Sequence, residues 1–213
     1  YLFKRMVASL RKLGYIINYE IVNVKDYGVP QNRKRLVMVG SRLGNLQVAK
    51  GNEKKVTVRQ AIGKLESVYR TKDPIHKIFP NHTKEVMKKI KLIPKNGGGR
   101  MDLPNKYTLD CHKNKNVGFR DIYGRLRWDD YSSTITGGCL NPSKGRFLHP
   151  TKNRTITARE AALLQSFPKS YKFPTNIGKG SLALLIGNAL PPKFSYIQSL
   201  NIRNHLDEYL ENL

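Results

Sequence analysis

The stretch Asp26-Tyr27-Gly28-Val29-Pro30-Gln31-Asn32-Arg33-Lys34-Arg35 decides how the rest of the chain is read. Ahead of it, Tyr15 to Val24 is rich in Ile, Val and Tyr and predicts a strand. After it, the apolar run Leu36 to Val39 predicts a second strand, stopped by Gly40. The stretch itself holds Asp, Gly and Pro and reads as the loop between them. Further upstream, Leu2, Phe3, Met6, Val7, Leu10 and Leu13 recur at helical spacing before Gly14. Residues 1–42 therefore predict helix, strand, loop, strand, with the strands paired antiparallel at one side of a larger sheet. Arg33 and Arg35, at i and i+2 near a strand end, point to one side. Paired guanidinium forks hold a phosphate or a base carbonyl oxygen, and Gln31 lies on the same face. By local pattern alone, a solvated basic hairpin is the simpler account.

The charge supplies a direction. Lys and Arg number 39 against 15 Asp and Glu, a net charge of +24 over 213 residues. Such a field attracts polyanions and points to nucleic acid. The basic residues are spread along the chain, which disfavours a membrane-surface helix, and no apolar run is long enough to span a bilayer. Residues 43–150 are rich in Lys, Asn, Gly and Pro, and 12 Lys or Arg face 4 Asp or Glu between 81 and 127. This region predicts a small domain of loops and short strands with a basic face. Short helices are expected over 57–65, opened by Thr57, and over 83–92. The run Gly97-Gly98-Gly99 reads equally as a close approach to a ligand or a surface loop. The 2 cysteines, Cys111 and Cys139, are too few for a disulfide framework or a four-thiolate zinc site. Cys111 beside His112 does not make a metal site, so no metal is expected and both thiols read as structural.

Order returns near residue 155. Asn153-Arg154-Thr155-Ile156-Thr157-Ala158-Arg159-Glu160-Ala161-Ala162-Leu163-Leu164-Gln165-Ser166-Phe167-Pro168 is a helix opened by the capping box of Thr157 and Glu160. Packing is its plain reading. Helices over 179–186 and 192–210 flank Ile186-Gly187-Asn188-Ala189-Leu190-Pro191-Pro192. Read as a turn, that segment leaves free backbone amides at a helix start, able to bind a carboxylate or hydroxyl.

In order and spacing, these three segments together resemble the closing motifs of the cytosine-5 DNA methyltransferases. The resemblance runs over nearly the whole chain: the Gln-x-Arg-x-Arg core, a variable target-recognition region, the Arg-x-Ile-Thr-x-Arg-Glu-Ala segment, and a Gly-Asn-Ala turn. It implies an α/β fold, the C-terminal portion of a Rossmann-like methyltransferase sheet with a small, loop-rich recognition domain. Residues 1–42 then belong to the catalytic domain, 43–150 to the recognition domain, and 151–213 to its support helix and the helix returning to the catalytic domain. It implies that Gln31, Arg33 and Arg35 serve catalysis, with Arg35 at the base O2 and Arg33 also on the DNA. It implies that Asn188 and Ala189 close over S-adenosyl-L-methionine, although Leu190 stands where Val is commoner. Ser133-Thr134-Ile135-Thr136-Gly137-Gly138 resembles the segment that touches DNA near the flipped base, and Arg125 joins Thr134, Ile135, Thr136, Gly137 and Gly138 as an expected DNA contact. Arg159 and Glu160 are expected to orient the recognition domain.

The family's Phe-x-Gly-x-Gly segment, Pro-Cys nucleophile and Glu-Asn-Val strand have no counterpart in this sequence. The expectation is a chain that recognises double-stranded DNA in a prokaryotic cytoplasm, within restriction-modification, and depends on an N-terminal half or subunit for the nucleophile. The alternative is a non-catalytic DNA-binding subunit or relic. A basic RNA-binding protein rests on charge alone.

Overall fold

The computed structural model describes residues 1–107 and 121–212. Helix α1 (Leu2–Lys12) ends on Arg11 and Lys12, whose charges suit the negative end of a helix. Strands β1 (Ile16–Asn23) and β2 (Lys34–Ser41) pair antiparallel from Ile16↔Ser41 to Asn23↔Lys34, the pairing expected from two apolar, β-rich runs around a loop. Between them, Val24–Tyr27 forms a 3-10 turn closed by Gly28 at φ +70, a conformation that glycine adopts without steric cost. The Asn23 Oδ1 accepts from the backbone amides of Lys25 (3.4 Å) and Arg33 (3.1 Å), binding both ends of the loop to one side chain.

Short helices α2 (Val58–Ile62) and α3 (Lys84–Leu92) fall where expected, each opened by a threonine, Thr57 and Thr83, accepting from a backbone amide. The short strands expected over 43–150 are absent among the described residues. Backbone pairing there is limited to isolated bridges such as Arg125↔Leu148. Without period-2 alternation, the segment satisfies its carbonyls with arginines instead. Arg146 Nη1 donates to the carbonyls of Gly97 (2.8 Å), Gly98 (3.2 Å) and Arg125 (2.9 Å). The Gly97-Gly98-Gly99 run is therefore held by protein side chains.

Helix α4 (Ala158–Leu164) carries the predicted capping box, with Thr157 and Glu160 bonded reciprocally. Its buried face joins Val58, Ile62, Leu126, Ile135, Phe147 and the inner side of α5 (Lys179–Asn188) in one apolar core. A second core lies under α6 (Pro192–Glu211): Val22, Val24, Tyr27, Val29, Val48 and Phe194. Burying Phe194 against Tyr27, with ring centroids 4.8 Å apart at 78°, contributes about 2 kcal/mol. Polar bonds align α6: Gln198 pairs with both Ala49 N (3.0 Å) and Ala49 O (2.9 Å), and Ser41 Oγ lies 2.8 Å from His205 Nε2.

Candidate functional site

The loop 26–35, the segment 132–137 and the ends of α4 and α5 converge on a buried polar node. Gln31 is wholly buried. Its amide nitrogen donates to Gln165 Oε1 (2.7 Å), and its Oε1 accepts from Ile135 N (2.8 Å). Gln165, also wholly buried, donates onward to Ile186 O (2.8 Å) and Gly187 O (3.3 Å). Arg33 Nη1 bridges Ile135 O and Gly187 O, each at 3.0 Å. Burial and the neighbouring Arg35 charge both pull the Arg33 pKa below its ordinary value, so its two carbonyl acceptors offset a real cost.

Gly187 is required by contact. A Cβ there would sit 2.0 Å from the Thr136 carbonyl carbon and 2.3 Å from Gly137 N. The expected Gly-Asn turn is instead the last turn of α5, and α6 starts after Pro191. Of the amides expected there, the first past the prolines, Lys193 N, is taken, donating to Ser166 Oγ at 3.1 Å.

Several residues take other parts than the sequence suggests. Gln31 spends its amide inside the protein, joining the loop to Gln165 and Ile135. Ile135 is 0% exposed, with its N–H and carbonyl both taken, and makes no DNA contact in this arrangement. Arg125 is likewise 0% exposed. Its guanidinium donates to Ile93 O (3.1 Å), His149 O (3.0 Å), Lys152 O (2.6 Å), Ile90 O (2.7 Å) and Asn153 Oδ1 (2.8 Å), fastening the end of α3 to the segment 149–153. A side chain with its forks spent this way cannot also hold a phosphate. Gly137 and Gly138 approach Leu184 and Lys144 closely, so their smallness serves internal packing.

Facing outward are Arg35, bonded only to its neighbour Lys34 O (2.7 Å) among the described residues, the exposed Thr136 and the exposed Asn188. Next to them, Asn32, Thr134 and Lys144 line a cavity of about 410 Å³. Thr134 Oγ1 donates to Asn32 O (3.0 Å). The Asn32 amide has a defined orientation. Asn23 Oδ1 is committed to two backbone amides, so Asn23 Nδ2 is the donor to Asn32 Oδ1 (2.7 Å), which leaves the Asn32 NH2 outward. Asn23, Asn32 and Gln165 escaped sequence reasoning, though a glutamine within the apolar helix pattern of 158–167 was a signal.

Cys139 is fully buried, and burial pushes its thiol up to about 12, so it is an inert structural thiol as expected. Cys111 and His112 lie outside the described residues. Glu160 is buried and bidentate to Arg154 at 2.7 Å and 2.7 Å, which together with Thr157 N holds its carboxylate below the usual range against the opposing effect of burial. Arg159 joins Asp73 (2.5 Å) to α4 and the Tyr171 carbonyl (3.1 Å). No helix among the described residues is long and apolar enough to cross a membrane, and none of their acidic, His or Cys groups forms a metal cluster.

The sequence profile of the C-5 cytosine-specific DNA methylases matches residues 1–201. The chain belongs to that family. It is 33% identical over 215 residues to the type II methylase M.HgiDII of Herpetosiphon aurantiacus, covering 96% of this chain and 60% of that protein. It is 32% identical to the type II methyltransferase M1.BsuMI of Bacillus subtilis, covering 93% of this chain and 46% of that one. The chain thus spans 46–60% of the length of these two relatives. Among solved structures, a prophage-encoded E. coli protein described as a DNA modification methyltransferase superposes with a TM-score of 0.66 at 20% identity, over 96% of this chain and 64% of that one. The fold is that of part of a Rossmann-like methyltransferase, with the antiparallel pair β1–β2 as its sheet contribution.

Proposed function

We propose that this chain supplies the target-recognition and closing residues of a DNA (cytosine-5-)-methyltransferase acting within restriction-modification. One observation carries the reading: the Gln31–Gln165–Arg33 node braces the loop from within and leaves exposed Arg35, two residues after Arg33, and Thr136 and Asn188, each following an acceptor of Arg33 in the chain. Residues 43–150 form the recognition region, 151–168 support it, and α6 returns to the unit of residues 1–42.

In this reading Arg35 faces the O2 of an extruded cytosine and stabilises charge developing on the ring as C6 is attacked. Thr136 and the outward NH2 of Asn32 lie against DNA beside the target, and the +24 charge holds the duplex. The residues present fit one edge of S-adenosyl-L-methionine. Asn188 is exposed, its side chain with no hydrogen-bond partner among the described residues, beside the half-buried Ala189. When bound, that group supplies the methyl, and Asn188 orients a polar edge of it. The nucleophile comes from an N-terminal half or subunit carrying a Pro-Cys segment, since Cys111 follows Asp110, Cys139 follows Gly138, and Cys139 is sealed besides. Exposed cross-strand neighbours Ile21 (75%) and Leu36 (51%) support a partner surface there.

The test is transfer of labelled methyl to double-stranded DNA. None is expected from this chain alone, and transfer is expected on addition of a matching front half. Activity of the isolated chain would sink the nucleophile assignment. The second reading, a DNA-binding subunit without chemistry, draws on the burial of Cys139. Salt-sensitive DNA binding without transfer in any combination is its signature.

A further inference from the structure

Glu160, in the first turn of α4, lines a cavity of about 820 Å³, while the Gln31–Gln165 node lies at the other end of the same helix. The size suits an organic ligand, within the roughly 300–1,000 Å³ of small-molecule sites. Trp128 and Phe79 give the walls flat apolar surface, and the Trp128 ring meets His149 edge-on at 5.3 Å. His149 Nδ1 accepts the backbone amides of Thr151 (3.2 Å) and Lys152 (3.0 Å), so the imidazole is neutral with its proton on Nε2. Two cations and two carboxylates line it, Lys152 and Arg154 against Glu66 and Glu160, with Arg154 paired directly to Glu160. His82 Nε2 is buried without a hydrogen-bond partner among the described residues, and burial favours its neutral form as well. Asn81 adds a free amide at the rim.

The charges inside this cavity cancel, in a chain whose net charge is +24. That is a poor phosphate site and a good site for a flat neutral heterocycle. Such a ring stacks on the face of Trp128 or Phe79 left open by Arg59 and Arg154, which lie over the other faces, and offers edge atoms to His82 and Asn81. We propose that this cavity binds a single nucleobase, at a site separate from the one that contains Arg35. The chain's net charge of +24 draws nucleic acid toward the protein as a whole. This inference stands whether or not the chain takes part in methyl transfer.

Trp128 is the only tryptophan of the chain and lines the cavity, so its fluorescence reports occupancy. The four deoxynucleoside 5′-monophosphates are titrated into the full chain, with deoxyribose 5-phosphate as the control lacking a base. Saturable quenching by at least one nucleotide is expected, with none from the sugar phosphate. His82→Leu and Asn81→Ala should each weaken it about fivefold, the value of one hydrogen bond. Asn81 is exposed, so its variant keeps the test open should His82→Leu fail to fold. Arg35→Ala should leave the titration unchanged. No saturable quenching at millimolar nucleotide would overturn the proposal. So would an equal response to deoxyribose 5-phosphate, or parent-like binding by both variants.

Discussion

Replacing Arg125 by Met keeps most of the side-chain volume and removes the guanidinium. In the native protein that group satisfies carbonyls of the buried residues Ile90, Ile93 and His149, and reaches Lys152 O and Asn153 Oδ1 nearer the surface. Water can replace the last two. The first three become buried acceptors without donors, at roughly 1–3 kcal/mol each. Against this stands the relief of burying a cation with no carboxylate partner, a strain visible in its lowered pKa. The negative end of α3 already compensates part of that strain. The balance is a loss of about 4 kcal/mol, a large share of a domain's total stability. Guanidinium unfolding of parent and Arg125→Met measures it directly. DNA binding by the folded variant should keep its dependence on salt, because no phosphate contact has gone. A variant as stable as the parent, but with a salt slope lower by about one phosphate's contribution, would refute the structural role and return Arg125 to the DNA interface.

Arg33→Ala should cost roughly 2 kcal/mol, the value of its bonds to Ile135 O and Gly187 O, whereas Arg35→Ala should move stability by less than about 0.5 kcal/mol. Urea unfolding of the pair separates the brace from the exposed group, and equal losses would contradict the division. His149 has a folded pKa of about 4 against an ordinary 6.5, held down first by burial, with the adjacent Glu160 opposing. Between those values the unfolded chain binds the proton and the native one does not. Stability is therefore full above the ordinary value and falls by about 3 kcal/mol as pH drops toward 4. Thermal melts across that window should show the decline, and a flat profile would mean that Glu160 accommodates the imidazolium.

The elements were legible where the chain speaks in periods and caps. The Ile, Val and Tyr content of 15–24 and the apolar run 36–39 specified the strand pair, and Thr157 with Glu160 specified the start of α4. Local pattern also marked 26–35 and 186–192 as segments of interest. It could not show that Gln31 and Arg33 turn inward, because their acceptors lie more than 100 residues away, on Ile135, Gln165 and Gly187. Nor could it distinguish Arg125 from the other basic residues of 81–127. A buried arginine and a phosphate-binding arginine share one letter, and only the positions of the surrounding carbonyls tell them apart. The necessity of Gly187 was equally hidden, since what forbids a Cβ there is the Thr136–Gly137 peptide.

Helix α6 grips the end of β2 and the segment after it through Ser41–His205, Gln47–Asn201 and Ala49–Gln198, so the first and last quarters of the sequence are fastened together, side chain to side chain at Ser41 and side chain to backbone at Gln47 and Ala49. Topologically the chain is a ring with a non-covalent clasp. A single nick between Lys50 and Thr155 opens a loop and leaves both fragments attached to the same clasp. Insertions at exposed turns of that loop can lengthen it while the ring stays closed. Within that loop, Ser132 and Ile135 are tied to Pro30, Gln31 and Arg33, so the stretches free to change without disturbing the node lie outside 132–137.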